Sequence, residues 1–157
     1  MKIEFTLNGA KACWDAAADD SLFAMLRALG MKSVKCGCET SNCGLCTVWL
    51  DGTPVLSCSV LAARVQGRSV TTLEGLQAEA ACFGAYLADE GAEQCGFCAP
   101  GLMMNVLALA GENPRATDEE IDAYLAGNLC RCSGYMSQRR AIRRYLDAIV
   151  AGEEVRG

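Results

Sequence analysis

Eight of the chain's 11 cysteines fall into two sets, and their spacing limits what the chain can fold into. The first set reads C-x4-C-x2-C-x11-C, and the second joins a C-x2-C turn to a distant C-x-C turn. The first set is Cys38, Cys43, Cys46 and Cys58, and the second is Cys95, Cys98, Cys130 and Cys132. Thiolates on such short turns converge on one soft metal centre. The fold must therefore gather each set into a cage.

The spacing of the first set indicates the kind of metal centre. Its opening three cysteines match the plant-type [2Fe–2S] run, in which a fourth cysteine follows at a distance. Four glycines lie near the cysteines, where a small residue lets the backbone come close. They are Gly37, Gly44, Gly96 and Gly101. The two sets predict two [2Fe–2S] clusters, which pass one electron at a time.

Zinc and disulfides are the competing interpretations of the cysteines. A Cys₄ zinc site also uses short turns, so a zinc-bound interaction module is an alternative, although C-x4-C-x2-C is not a usual zinc spacing. Disulfides are disfavoured because residues 1–9 contain no apolar run of signal-peptide length, which predicts a cytoplasmic protein with reduced thiols. Residues 102–110 are almost wholly apolar but too short to span a membrane.

Composition excludes several classes of function. The net charge of -5 argues against a nucleic-acid partner, because phosphate affinity comes from Lys and Arg. The absence of histidine excludes Cys₂His₂ zinc, Rieske ligation and any Ser–His or Cys–His catalytic pair. Cys13, Cys36 and Cys82 lie outside the two sets, and we expect them to be buried small residues of open role.

Alternating apolar residues and turn signals predict a sheet in the first half of the chain. Strands are expected at 3–7, 10–14, 47–50, 55–57 and 68–71, with a helix at 22–29. Asn8-Gly9 is a hairpin turn, and residues 19–21 supply a helix N-cap. This order predicts a plant-ferredoxin-like β-grasp domain over 1–75, with the first metal loop at its edge.

From residue 76 onward nearly every segment has helical periodicity. Helices are expected at 78–90, 101–111, 118–126 and 136–150. Thr117 and Glu120 form a capping box at the start of the third. The last helix has an apolar stripe and an arginine-rich remainder, which we interpret as a solvated face. The stripe is Ala141, Ile142, Tyr145, Leu146, Ile149 and Val150. The fold class is thus α+β, with an all-α four-helix [2Fe–2S]-binding domain over 76–157.

Longer motifs surround both cysteine sets. They are Val34-Lys35, Gly37-Cys38, Cys43-Gly44-Leu45-Cys46-Thr47-Val48, Asp51-Gly52, Ser57-Cys58, Gln94-Cys95-Gly96-Phe97-Cys98-Ala99-Pro100-Gly101 and Gly127-Asn128-Leu129-Cys130-Arg131-Cys132-Ser133-Gly134-Tyr135. Together they resemble the small iron–sulfur subunit of the xanthine oxidase family, the molybdenum hydroxylases. The resemblance covers nearly the whole chain.

The resemblance implies an electron relay without a substrate site of its own. Electrons would pass from a molybdopterin centre in a large subunit to the cluster on the second cysteine set. They would continue through the cluster on the first set to FAD in another subunit. The family's glutamine before the C-G-x-C turn touches the pterin, a role that maps onto Gln94 and more weakly onto Cys132. We expect separate partner polypeptides in a higher hetero-oligomer.

The substrate is the least constrained part of the resemblance. The motifs look most like bacterial xanthine or purine dehydrogenases, with carbon monoxide, nicotinate and aldehyde dehydrogenases as alternatives. A stand-alone ferredoxin-type carrier is a rival, although the apolar segment 102–110 argues against it. The chain departs from the family at Ser41, where glycine is common. We expect the neighbouring Asn42 to take the left-handed conformation instead.

Overall fold

The computed structural model describes residues 1–153, which form a mixed α/β fold of five α-helices and one five-stranded sheet. The strands are β1 (Lys2–Leu7), β2 (Ala10–Asp15), β3 (Thr47–Leu50), β4 (Thr53–Leu56) and β5 (Ser69–Thr71). The helices are α1 (Leu22–Ala28), α2 (Gln77–Asp89), α3 (Ala99–Glu112), α4 (Asp118–Tyr124) and α5 (Met136–Ala151). Every predicted element is present within a few residues of its expected position.

The sheet has the strand order β2-β1-β5-β3-β4. Strands β1 and β5 are parallel, and the other neighbours are antiparallel. Asn8 and Gly9 both take positive φ angles in the β1–β2 turn, as a tight hairpin requires. Helix α1 begins after Ser21, whose Oγ accepts a hydrogen bond from the Ala24 N–H at 3.1 Å. The apolar face of α1 packs in the same hydrophobic cluster as the sheet.

The fourth strand ends earlier than the sequence predicted, and the difference positions a cysteine. Ser57, expected in the strand, begins a 3-10 turn over Ser57–Ser59. Its N–H and its Oγ both donate to the Cys46 carbonyl, at 3.2 and 2.7 Å. Ser57 is fully buried, so these two hydrogen bonds fix the turn firmly. The turn therefore brings Cys58 back beside Cys46.

The helical half has the predicted order of elements. Helix α3 buries Leu102 and most residues through Leu109, as expected for a helix that is apolar on all sides. The capping box of α4 is confirmed, since Thr117 Oγ1 accepts from the Glu120 N–H and Glu120 accepts from the Thr117 N–H. Within residues 1–153, no helix is long and apolar enough to cross a membrane.

Helix α5 differs from its predicted pattern in two respects. Val150, expected on the apolar stripe, is 40% exposed, whereas Gln138 on the buried side is only 7% exposed. The arginine face is not simply solvated, because Arg140 and Arg144 both pair with Glu90 at the end of α2. Arg143 pairs with an aspartate of α4. These ion pairs join α5 to its neighbours.

Two hydrophobic clusters form, one under the sheet and one among α2–α5. They meet where α3 lies against β3 and the first cysteine loop. Trp49 Nε1 donates to the Met104 carbonyl at 2.8 Å. A Cβ on Gly101 would collide with the Gly44 carbonyl oxygen and would lie 2.9 Å from Leu45 Cα. The first turn of α3 and the cysteine loop can therefore approach this closely only because residue 101 is glycine.

Candidate metal centres

The first cysteine set surrounds one small cavity at the edge of the sheet. The loop before β3 supplies Cys38, Cys43 and Cys46, and the turn after β4 supplies Cys58. Cys43 and Cys46 are buried, and the other two are partly exposed. Cys38 contacts Cys43, and Cys46 contacts Cys58, so the four sulfur atoms stand as two pairs.

The second cysteine set surrounds a similar cavity at the start of α3. Cys95 and Cys98 lie in the turn before this helix, and Cys130 and Cys132 lie between α4 and α5. The sulfur atoms of Cys95 and Cys132 are 3.6 Å apart, and Cys98 contacts Cys130. This cage, too, is built from two pairs of thiols.

The pairing fits a two-iron cluster. Two thiolates bound tetrahedrally to one metal at about 2.3 Å stand about 3.8 Å apart, and the Cys95–Cys132 sulfur distance of 3.6 Å agrees with this. A [2Fe–2S] cluster takes four thiolates, two on each iron, so the donor set and its grouping suit it in both cages.

Hydrogen bonds from the surrounding turns stabilise one thiolate of the first cage strongly. Backbone N–H groups of Thr40 and Asn42 lower the pKa of Cys38 to about 6. The Asn42 nitrogen lies 3.4 Å from Cys38 Sγ. Burial instead raises the pKa of Cys46 to about 11. In the metal-free protein the Cys38 thiol is thus largely ionised at neutral pH whereas the Cys46 thiol is not, and binding of metal displaces the remaining protons.

The Cys98 and Cys130 pair of the second cage shows the same contrast in pKa. Burial alone would raise the pKa of Cys130, but hydrogen bonds from Ser133 outweigh it and lower the pKa to about 7. Ser133 donates through its Oγ at 3.2 Å and through its backbone N–H at 3.4 Å. Burial raises the pKa of Cys98 to about 11. The turn around Cys130 therefore favours negative charge on sulfur.

These pKa values predict the order in which thiols of the metal-free protein react. At pH 7, iodoacetamide should alkylate Cys38 about a hundredfold faster than Cys46, since the larger thiolate fraction outweighs the lower intrinsic nucleophilicity. The rate at Cys38 should level off above pH 7, whereas that at Cys46 should still rise above pH 9. Peptide mass spectrometry over time measures both rates, and equal rates at pH 7 would contradict the assignment.

The conformation and the contacts of Ser41 at the first cage differ from what the sequence predicted. The left-handed residue is Ser41, with φ 59°, and not Asn42. This conformation lets Ser41 Oγ accept from Ser59 Oγ at 2.8 Å and lie 3.6 Å from Cys58 Sγ. Burial works against ionisation of Cys58, but these two hydroxyls lower the pKa of its thiol. The serine that replaces the common glycine is therefore a sulfur contact.

The three cysteines outside the sets are less buried than predicted. Cys13 is exposed, because it alternates with the inward-facing Ala12 and Trp14 on the edge strand β2. Cys36 is also exposed, although it lines the first cavity, and its Sγ donates to the Cys38 carbonyl at 3.1 Å. Cys82 is partly buried against the helical cluster.

The structure brings Gln94 to the rim of the second cage. Its Nε2 donates to the Cys132 carbonyl at 3.1 Å, and both residues are exposed. Gln138, which the sequence did not single out, also lines this cavity. Its signal was a polar residue on the buried side of α5, visible only once the orientation of that helix is known.

The two cages face one shared cleft and are joined by the backbone. Cys38 and Cys43 line the cleft from one side, and Cys98, Cys130 and Cys132 line it from the other. The Leu129 N–H donates to the Cys43 carbonyl at 2.9 Å, and Leu129 directly precedes Cys130. This hydrogen bond connects a residue of the first cage to the segment that supplies the second.

Comparison with known proteins agrees with this chemistry. Residues 72–143 match the family model of a [2Fe-2S] binding domain. The chain is 46% identical over 142 residues to the xanthine dehydrogenase iron-sulfur-binding subunit of Escherichia coli O157:H7, covering 86% of this chain and 87% of that subunit. It is 38% identical over 150 residues to the nicotinate dehydrogenase small FeS subunit of Eubacterium barkeri, covering 91% and 93%.

A solved structure extends the likeness to the whole fold. A chain of quinoline 2-oxidoreductase from Pseudomonas putida 86 superimposes with a TM-score of 0.86 at 33% identity, covering 98% of each chain. The sequence relatives and the structural neighbour therefore agree on the family of this chain. The chain belongs to the small iron–sulfur subunits of the molybdenum hydroxylases, the xanthine oxidase family, and it is an electron-transfer subunit of an oxidoreductase of that family.

Proposed function

We propose that the chain binds two [2Fe–2S] clusters, one in each cage. Cys38, Cys43, Cys46 and Cys58 hold the first cluster, and Cys95, Cys98, Cys130 and Cys132 hold the second. The observation that carries this proposal is the grouping of each set into two sulfur pairs around one cavity. When bound, these clusters accept and release single electrons. The chain itself supplies the cysteine ligands, the hydrogen bonds to their sulfur atoms and a fixed distance between the two cages.

Each cage has its own supporting core, which favours two domains. The parallel β1–β5 pair at the sheet centre, packed with α1, suits a β-grasp domain over 1–75. The helices α2–α5 share a second hydrophobic cluster and suit an all-α domain over 76–157. Leu73 and Leu76 pack against this second cluster, close to the proposed boundary.

The connection between the cages supports a relay. The Cys43 carbonyl accepts from the Leu129 N–H, and Asn105 donates to Thr47 Oγ1 and Asn128 Oδ1 at 3.4 and 3.2 Å. These polar contacts lie between the loops that carry the ligands. They hold the two cages at a fixed distance, which a relay between two centres needs.

The partners of the relay follow from the family. We place the second cage next to a molybdopterin-binding large subunit, because its rim carries exposed Gln94 and Cys132. Exposed Phe97 and Tyr135 lie in the same region and would be covered by such a partner. The first cage would face an FAD-binding subunit, in a hetero-oligomer located in the cytoplasm, where thiols stay reduced.

The best-supported substrate of the complex is a purine such as xanthine. The 46% identity to the xanthine dehydrogenase subunit supports this choice, and the 38% identity to the nicotinate dehydrogenase subunit supports the second candidate. The substrate site itself would lie in the large subunit. Identifying the large subunit that co-purifies with this chain would therefore identify the substrate.

Metal analysis of the purified chain, together with the polypeptides that co-purify with it, tests the proposed function. We expect about four iron atoms and four acid-labile sulfides per chain, two of each per cluster, with absorption in the visible. Expression in iron-limited, zinc-supplemented medium should give a protein with less colour. A colourless protein that holds one zinc ion per cage after growth in iron-rich medium would overturn the proposal.

A further inference from the structure

Gln138 is a buried amide on the inner side of α5. The residue is 7% exposed, and the next inward positions of the helix are the core residues Ala141, Ile142 and Tyr145. Buried amides in folded proteins are almost always hydrogen-bonded. An apolar residue would be the ordinary choice at this position, so a glutamine here requires a polar partner.

That partner is a ligand of the second cage. The Gln138 Nε2 lies 3.8 Å from Cys98 Sγ, within hydrogen-bond range for sulfur, and Gln138 lines the cavity that the four cysteines enclose. A thiolate can only accept hydrogen bonds, so the amide must present its N–H₂ group to it. The contact is therefore an N–H···S hydrogen bond.

The donor differs in origin from the other hydrogen bonds of the cages. Asn42 donates to sulfur through its backbone N–H and Ser133 through its N–H and its hydroxyl, and both residues belong to the ligand loops themselves. Gln138 reaches Cys98 from a separate helix, and packing against the core holds its side chain in place. Removing this donor therefore leaves the ligand loops intact.

Hydrogen bonds to the ligand sulfurs help to set the potential of an iron–sulfur cluster. A donor stabilises the reduced form more than the oxidised form, because the reduced form has more negative charge on its sulfur atoms. We propose that Gln138 is a positioning residue that raises the potential of the cluster in the second cage through Cys98. This inference rests on the proposed function, namely that the cage holds a [2Fe–2S] cluster.

The experiment is a redox titration of the full chain, followed by electron paramagnetic resonance. Gln138→Met removes the donor with an unbranched side chain of similar length, and Gln138→Leu removes it with a branched one. In both variants, the ratio of reduced to oxidised second cluster at a fixed potential should fall five- to tenfold. A tenfold fall is a shift of about 59 mV for a one-electron couple. Ser137→Ala, at the neighbouring position of the same helix, should leave the ratio unchanged.

The cluster of the first cage is an internal control, because Gln138 does not line its cavity. A lowered potential of the second cluster alone supports the inference. Unchanged potentials with full cluster content overturn it, and so does loss of the second cluster from both variants, which would make Gln138 a structural support. Absence of the second cluster from the wild-type chain would instead refute the proposed function.

Discussion

Replacement of Cys130 by alanine should abolish the signal of one iron–sulfur cluster and preserve the other. Cys130 Sγ is a member of the second cage, and it is the sulfur that Ser133 contacts with both its hydroxyl and its N–H. Without this thiolate, one iron of the second cluster lacks a ligand. Iron content should fall from about four to about two atoms per chain. Electron paramagnetic resonance of the reduced protein should then show one signal in place of two.

The matched control for this variant is Cys13→Ala. Cys13 lies on the solvent side of the edge strand β2, outside both cages, so this change should leave iron content and both signals intact. Circular dichroism would verify that α2–α5 are still folded in Cys130→Ala. Loss of both signals with helix content unchanged would show that the cages do not bind their clusters independently.

Short-range patterns predicted most of the fold, and they predicted which cysteines lie around each cavity. Cysteine spacing is local, and turns of a few residues leave little freedom in where the sulfur atoms can go. Helix signals are local too, so the Thr117–Glu120 capping box marked the start of α4 correctly. The β4 error arose because Ser57 is turned by its bonds to Cys46, a residue 11 positions away.

Long-range contacts account for what the sequence could not predict. Whether residue 138 faces the core depends on how α5 is rotated against α3, and helical periodicity defines this only approximately. Cys36 was expected to be buried from its residue type, yet its side chain is exposed on the loop that encloses the first cavity. Glu90 at the end of α2 binds two arginines of α5, a pairing 50 residues apart in sequence. Such contacts follow from the assembled fold.

The backbone approaches most closely at two glycines that lie between the two cages. The sequence indicated close backbone approach at Gly44 and Gly101, without naming what approaches. The structure shows that a Cβ on Gly101 would collide with the Gly44 carbonyl oxygen, and that a Cβ on Gly44 would collide with the Gly127 carbonyl oxygen. Three segments that carry or flank ligands therefore meet within van der Waals distance.

Gly101→Ala should consequently weaken the contact between the first turn of α3 and the first cysteine loop. A Cβ at residue 101 would overlap the Gly44 carbonyl and approach Leu45 Cα to 2.9 Å, and both neighbours are backbone that cannot rotate away. Alanine is the better helix former by about 1 kcal/mol, but overpacking of this kind costs about 1–3 kcal/mol. We expect a net destabilisation of up to about 2 kcal/mol. The guanidinium midpoint for bleaching of the visible absorbance should fall.

Gly111→Ala is the matched control, because it makes the same change in the same helix α3 and the added Cβ would meet no atom within 4 Å beyond the backbone of its own helix. Its midpoint should equal or exceed that of the wild type. Midpoints are compared because bound metal makes unfolding depart from a two-state transition. The magnetic coupling between the two reduced clusters should also weaken in Gly101→Ala, since the cages move apart. If Gly101→Ala matched Gly111→Ala in both midpoint and coupling, the close approach of α3 to the first cysteine loop would not hold the two cages together.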